Sequence, residues 1–179
     1  MKKLKSVKFF RQKYQGSAIS LCSIKLDDVD QVFNLLYQGD FHQFTFIPKE
    51  YSYSMAKNWV EKQVKNPQTF AIFLPEYKKM IGVIGIVVDD FSKCHWEISY
   101  WLGQKYRGKG YMKEALNLFL KKVKQDTPIK KISARVFLKN SKSLKLLKES
   151  GFIKEGLLQN HFCHNSQMKS VVIMGLRIK

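Results

Sequence analysis

The stretch that most constrains this chain runs from about Lys93 to Val123, where the period of the apolar residues changes once across a loop with two glycines. Before the loop, Trp96, Ile98, Tyr100 and Leu102 alternate with His95, Glu97, Ser99 and Trp101, the pattern of a strand with one apolar face. After it, Met112, Ala115, Leu116, Phe119 and Val123 recur at the 3.6-residue period of a helix. The loop itself reads Arg107-Gly108-Lys109-Gly110. A helix start leaves backbone N–H groups unpaired and partly positive, so a strand, a glycine loop and a helix together suit an anion. Gly108 and Gly110 let the backbone approach it closely, and Arg107 and Lys109 add charge. The shape suits a diphosphate. The spelling excludes two commoner phosphate loops: a dinucleotide fingerprint needs a third glycine, and a P-loop needs Gly-Lys-Ser/Thr after four intervening residues. By itself, Gly-x-Gly also spells an ordinary turn between a strand and a helix.

The rest of the chain alternates between the same two periods. Ala18 to Ile24 reads as a half-buried strand, and from Asp27, a candidate helix cap, Val29, Val32, Phe33 and Leu36 predict an amphipathic helix. Gly39 to Ser54 is irregular and aromatic, with Phe41, Phe44, Phe46, Tyr51 and Tyr53, and either lines a pocket or covers an edge of the core. A short helix carrying Trp59 and Val64 follows. Thr69–Leu74 and Met80–Val88 read as strands joined by a Pro75 to Lys79 connection, with a turn at Asp89-Asp90 after them. Lys131–Leu138 alternates again; a helix then starts near Asn140-Ser141 and stops at Gly151, and two strands around Phe152 and Val171–Leu176 close the chain. The order βααβββαβαββ predicts an α/β protein: a central mixed sheet of about six to seven strands flanked by about four helices.

With 179 residues and no repeat, low-complexity tract or linker, the simplest organisation is one domain over residues 1–179, opening with a loose basic leader at 1–16. The basic front runs through Phe9-Phe10 straight into Arg11 and Lys13, so no export signal is read, and no run approaches the roughly 20 apolar residues of a membrane span. Cys22, Cys94 and Cys163 are isolated, which suggests neither a disulfide framework nor a zinc knuckle and points to a reducing cytoplasm. Thirty-two Lys and Arg against fourteen Asp and Glu give +18, a field that gathers anions and repels small cations. The lysines are spread along the chain, as on a solvated basic surface; a phosphate-rich ligand or a ribosomal partner is the alternative.

Two blocks carry a resemblance. The first is Trp96-Glu97-Ile98-Ser99-Tyr100-Trp101-Leu102 followed by Arg107-Gly108-Lys109-Gly110-Tyr111-Met112; the second is Asn140-x-x-Ser143 running to Gly151-Phe152. In this order and spacing the chain resembles the GNAT superfamily of N-acetyltransferases, and within it the branch that acetylates N-termini of ribosomal proteins. The resemblance implies the acyl-CoA N-acyltransferase fold, acetyl-CoA as co-substrate and a cofactor loop over Arg107, Gly108, Lys109, Gly110, Tyr111 and Met112. It also implies that the pantetheine arm pairs with backbone at Tyr100, Trp101 and Leu102, that Asn140 contacts that arm and that Ser143 hydrogen-bonds the sulfur; helix capping is the other reading of Asn140 and Ser143. The chain departs from the wider family at Met112, where a smaller residue is usual, and at Leu147, where many relatives carry a tyrosine acid.

An ammonium has no lone pair, so the acceptor amine must lose a proton before it attacks a thioester. Glu97 is the best-placed base, drawing the proton directly or through water; a substrate-orienting role or a pairing with a nearby lysine is the alternative. The expected function is therefore direct transfer of acetyl to a primary amine, a protein N-terminal α-amine first. A small-amine acetyltransferase comes second, and a basic RNA-binding module without catalysis third. His161-Phe162-Cys163-His164 invites a metal, but no second pair completes a ligand set, so a surface loop and no metal are expected. No membrane partner is expected, nucleic acid is at most incidental, and the oligomeric state, a homodimer included, stays open.

Overall fold

The computed structural model describes residues 8–45, 47–87, 94–164 and 166–178. The first seven residues of the leader, Phe46, and the Asp89-Asp90 turn with the ends of the strands beside it lie outside the described residues. The chain divides into two compact units, residues 1–86 with 99–127 and residues 87–98 with 128–179.

In the first unit, four antiparallel strands stand in the order β1 (Tyr14–Gln15), β2 (Ser20–Ser23), β3 (Thr69–Leu74), β4 (Lys79–Val87, to Ile86 within this unit). Phe70 and Ala71 are neighbours on β3 and so face opposite sides of the sheet. On the Phe70 side, Phe9, Phe10, Tyr14 and Phe119 gather in edge and tilted ring contacts with centroids 4.8–6.4 Å apart. On the Ala71 side, Val32 and Leu36 of α1 (Val29–Tyr37) and Ala56 and Val60 of α2 (Tyr53–Lys65) pack with Phe41, Met80 and Val83. Over its described residues the expected loose leader is corrected: Phe9 and Phe10 sit in a helical turn and are 1% and 0% exposed. Lysines dominate the composition of that segment, but two adjacent phenylalanines supply enough apolar area to anchor it. Tyr14 adds a hydrogen bond to Asp126 at 3.0 Å, and burial followed by that carboxylate pushes its phenol pKa well up.

The start of α1 differs from expectation in one residue. A 3-10 turn over Leu26–Asp28 precedes the helix, and it is Asp28 whose carboxylate accepts the Lys25 N–H at 2.8 Å. Asp28 is buried, and that burial raises its pKa against the opposing pull of the Lys25 hydrogen bond. Ser52 caps α2 by accepting the Met55 N–H at 3.2 Å. The aromatic segment between the helices is held by a 3-10 turn, Phe41–Gln43.

The second unit is built on β5 (His95–Leu102), whose first four residues belong to it while the last four belong to the first unit. β5 pairs parallel with β6 (Lys131–Phe137), β6 antiparallel with β8 (Gln167–Arg177), and β8 antiparallel with β7 (Ile153–His164). The parallel pair among antiparallel ones gives the mixed α/β class expected, with eight strands among the described residues instead of six or seven. The eighth is the two-residue β1, too short to leave a period in the sequence. α4 (Ser141–Glu149) ends as read: Gly151 takes φ +90°, Gly151 N–H donates to Lys148 and Phe152 N–H to Leu147, with Phe152 and Leu147 both buried. His161 to Cys163 are not loop residues, as was expected. They continue β7 with His164, pairing Phe162 with Lys169 and Cys163 with Met168. The hairpin extends because its bulges at Lys154/Gly156 and Leu158/Phe162 absorb the irregular alternation that hid the strand.

Candidate functional site

In the first unit, the end of β5 leads through Gly103 and a 3-10 turn, Gln104–Tyr106, into the 16-residue α3, Tyr111–Asp126. Gly108 and Gly110 have φ of +76° and +82°, in the left-handed region where a side chain is strained. A Cβ built on either one meets nothing within 4 Å. These two glycines are thus required by backbone conformation and face open space, the fit a close-approaching anion needs. Gly110 is the N-cap of α3, and the first-turn N–H groups of Tyr111 and Met112 have no acceptor within a helix of this geometry. Tyr111 and Met112 are half-buried, while Gly108, Lys109 and Gly110 are exposed. An open depression of about 490 Å³ lies beside Gly110, lined among others by Gly16, Ser17, Lys113, Asn117 and Lys121. One of its walls is fixed by Glu114, whose Oε1 accepts the Ala18 N–H at 2.9 Å.

Arg107 is the residue whose placement was least legible. Its backbone N–H donates to Gln104 O at 3.2 Å, its Nε to Leu102 O at 3.0 Å, and its Nη1 lies 2.6 Å from Asp40 Oδ1. The guanidinium also stands 5.1 Å from the centre of the Phe41 ring. The cation at the first position of the loop is therefore turned onto neighbouring protein groups. Of the strand residues, Leu102 is buried, and Tyr100 and Trp101 are half-buried, with the Trp101 ring edge-on to Phe41 at 5.1 Å.

In the second unit, the parallel ladder pairs His95 with Lys131, Trp96 with Ile132 and Glu97 with Ser133. Period two then puts His95 and Glu97 on one face of β5, and Lys131, Ser133 and Arg135 on the same face of β6. Two polar contacts result: Arg135 Nε donates to Glu97 Oε1 at 2.9 Å, and His95 Nε2 lies 2.8 Å from Ser133 Oγ. The Glu97 side chain is 22% exposed and Arg135 42%, so the carboxylate remains reachable from solvent. The partner of Glu97 is thus an arginine, where the alternative to the base reading named a lysine. Arg135, His95 and Ser133 were missed because the register of two strands 38 residues apart cannot be read from their alternation. Asn140 caps α4, its Oδ1 accepting the Ser143 N–H at 3.2 Å, and both residues are half-buried. Leu147, the position that the resemblance matched to a tyrosine acid, is fully buried in the core. Among the described residues no group of three or more His, Cys, Asp or Glu side chains is placed to hold a metal ion, and no helix is long and apolar enough to cross a membrane.

Comparison with known proteins bears on both units. A curated relative, the [ribosomal protein uS5]-alanine N-acetyltransferase of Escherichia coli, is 33% identical over 110 residues, which are 60% of this chain and 56% of that protein. The match thus spans little more than half of the relative's length. The spermidine N(1)-acetyltransferase of Vibrio cholerae is 21% identical over 157 residues, 87% of this chain and 91% of that one. A solved structure of RimL, a ribosomal L7/L12 alpha-N-protein acetyltransferase in complex with coenzyme A, superposes with a TM-score of 0.86 at 16% identity, covering 93% of this chain and 98% of that chain. At that identity the likeness is one of fold. The family model described as an acetyltransferase (GNAT) domain matches residues 19–153, three quarters of the chain and parts of both units, so the chain belongs to the GNAT acetyltransferase family.

Proposed function

We propose that this chain is one N-acetyltransferase domain that transfers acetyl from acetyl-CoA directly to a primary amine, most readily the N-terminal α-amine of a protein. The observation that carries this reading is the glycine cradle: two left-handed glycines with open space at their Cβ positions, set at the start of a 16-residue helix. Those features favour a diphosphate, and the family membership makes coenzyme A the diphosphate to test first. Acetyl-CoA supplies a thioester whose carbonyl accepts the amine and whose thiolate leaves. The protein's own groups do the rest. The backbone of Gly108 to Met112 holds the diphosphate, with Lys109 adding charge, and backbone at Tyr100, Trp101 and Leu102 orients the arm. Asn140 and Ser143 at the start of α4 contact the arm and its sulfur. Glu97 takes the proton that the amine must shed before its lone pair can form the new C–N bond, and Arg135 fixes the carboxylate's orientation.

A ribosomal-protein N-terminus is the favoured acceptor, because the E. coli relative is an enzyme of that kind and +18 favours an acidic or ribosome-bound partner. The Vibrio relative supports a second reading, a polyamine acceptor, which the same charge opposes. Thiol release from acetyl-CoA against a panel of N-terminal peptides, polyamines and free amino acids separates the two. The favoured reading expects turnover with peptides and little with polyamines, and the reverse order would replace it by the second.

A further inference from the structure

Arg107 opens a loop that the proposed function assigns to a diphosphate, yet it carries a carboxylate beside it. Asp40 Oδ1 lies 2.6 Å from Arg107 Nη1, and both side chains are about one third exposed, at 32% and 35%. Oδ1 itself is buried and makes no aligned hydrogen bond among the described residues, so the arginine charge is what compensates it. On electrostatic grounds alone this arrangement is unhelpful. A negative charge next to an anion site weakens that site's field, and the arginine it neutralises is the loop's first cation.

Geometry accounts for it. Arg107 reaches back by Nε to Leu102 O at the end of β5 and lays its guanidinium over Phe41, 5.1 Å from the ring centre. Phe41 is 3% exposed and meets the Trp101 ring edge-on. Its carbonyl accepts from Phe44 N–H at 3.2 Å, from Thr45 N–H at 3.0 Å and from the Thr45 hydroxyl at 2.6 Å, which closes the segment into a compact turn. Gly39 permits that turn: a Cβ there would stand 2.1 Å from Phe41 Cε2. One side chain thus fastens three things together, namely the end of β5, the turn Gly39–Thr45 and the entrance of the glycine loop.

We propose that Arg107 is a positioning residue, latched by Asp40 and Phe41, that sets the glycine loop and the aromatic segment Gly39–Thr45 in one arrangement, so that coenzyme binding and order in that segment are coupled. The inference rests on the loop's taking coenzyme A. It assigns the aromatic segment, whose role the sequence left open between pocket wall and core cover, a part in shaping the cofactor site. It also makes Asp40, a residue that touches no cofactor phosphate in this account, a contributor to cofactor affinity.

The latch and a simple field effect predict opposite signs for one substitution. If Arg107 served only as a charge for the diphosphate, Asp40→Asn would remove a repulsive carboxylate and tighten coenzyme A. With the latch, Asp40→Asn frees the arginine and the loop, and weakens coenzyme A by about three- to fivefold, the scale of a partly exposed ion pair. Calorimetric titration of coenzyme A into the wild-type chain and Asp40→Asn reads this, with thermal melts confirming that the isosteric variant is folded. Phe41→Leu, which keeps apolar bulk but removes the ring beneath the guanidinium, should weaken binding in the same direction. Hydrogen exchange supplies an independent readout: coenzyme A should slow exchange of amides 41–45 in the wild type and do so less in Asp40→Asn. Equal or tighter coenzyme binding by Asp40→Asn, or exchange at 41–45 indifferent to the coenzyme, overturns the latch while leaving the functional reading intact. A wild-type chain that binds no coenzyme A overturns both.

Discussion

Gly110 and Glu97 are the residues on which the proposed chemistry turns, and each makes a distinct demand. Gly110 holds φ +82° with nothing near its absent side chain, so Gly110→Ala is costly through backbone conformation and not through a clash. The expected loss is about 1–2 kcal/mol of stability, seen as a fall in the melting midpoint of a few degrees. Coenzyme affinity should drop as well, since the added methyl enters the space that the diphosphate would use. Gly151 at the end of α4 shares the positive φ but sits in a helix cap, so Gly151→Ala should lower the melting midpoint and leave coenzyme affinity unchanged. Glu97 pairs with Arg135 across a partly exposed contact worth no more than about 1 kcal/mol. Glu97→Gln should therefore keep the midpoint within a few degrees while lowering turnover, most severely at pH values below the acceptor amine's own pKa, where a base is needed. An unchanged pH–rate profile would remove Glu97 from the proton path.

Among the elements, the start of α1 shows most directly how burial and charge compete. Asp28 is buried and its pKa is raised, by desolvation first, so the folded state prefers the neutral carboxyl. The sign follows from linkage. Its favourable contribution is complete below the ordinary carboxylate value and is lost as pH rises through the raised folded value. Asn, neutral throughout and still able to accept the Lys25 N–H, should destabilise less, or begin to stabilise, as pH climbs from about 3 to 7. Urea titrations of Asp28→Asn at those two pH values measure the difference, and a gap independent of pH would contradict it. α1 and α3 were legible in the sequence from their 3.6-residue stripes, and α4 from its ends, Asn140 before it and Gly151 after it, whereas α2 starts at Tyr53 inside the stretch that read as irregular, behind a Ser52 cap that its aromatic surroundings hid. The long β7–β8 hairpin was not legible, since β7 is mostly exposed and twice bulged, so no apolar alternation survives to mark it. Register was equally hidden. Glu97 could be placed on a face of its strand, whereas its partner Arg135 depended on which strand lies alongside and by what offset.

Across the whole molecule, what the sequence understated is the amount of chain committed to the core. Residues that read as a loose basic leader bring Phe9, Phe10 and Tyr14 into the ring cluster around Phe70 and Phe119. Phe10→Ala should therefore cost about 3–5 kcal/mol in chemical denaturation, as a buried core phenylalanine does, where a loose leader would lose almost nothing. The glycine loop, its flanking strand and its helix were readable because three local signals, a period of two, a pair of glycines and a period of 3.6, occur in immediate succession. What the loop's arginine touches was not readable, because Asp40 and Phe41 lie more than sixty residues away in sequence. The net charge of +18 attracts any polyanion, so affinity for coenzyme A alone does not isolate the loop. The decisive measurement is calorimetric titration at about 150 mM salt, with coenzyme A, pantetheine and inorganic diphosphate compared on the same protein preparation. The account predicts saturable one-site binding of coenzyme A, at least tenfold weaker binding of the other two, and loss of the preference for coenzyme A over pantetheine in Gly110→Ala. Coenzyme A that binds no better than pantetheine, or no better than free diphosphate, would contradict it.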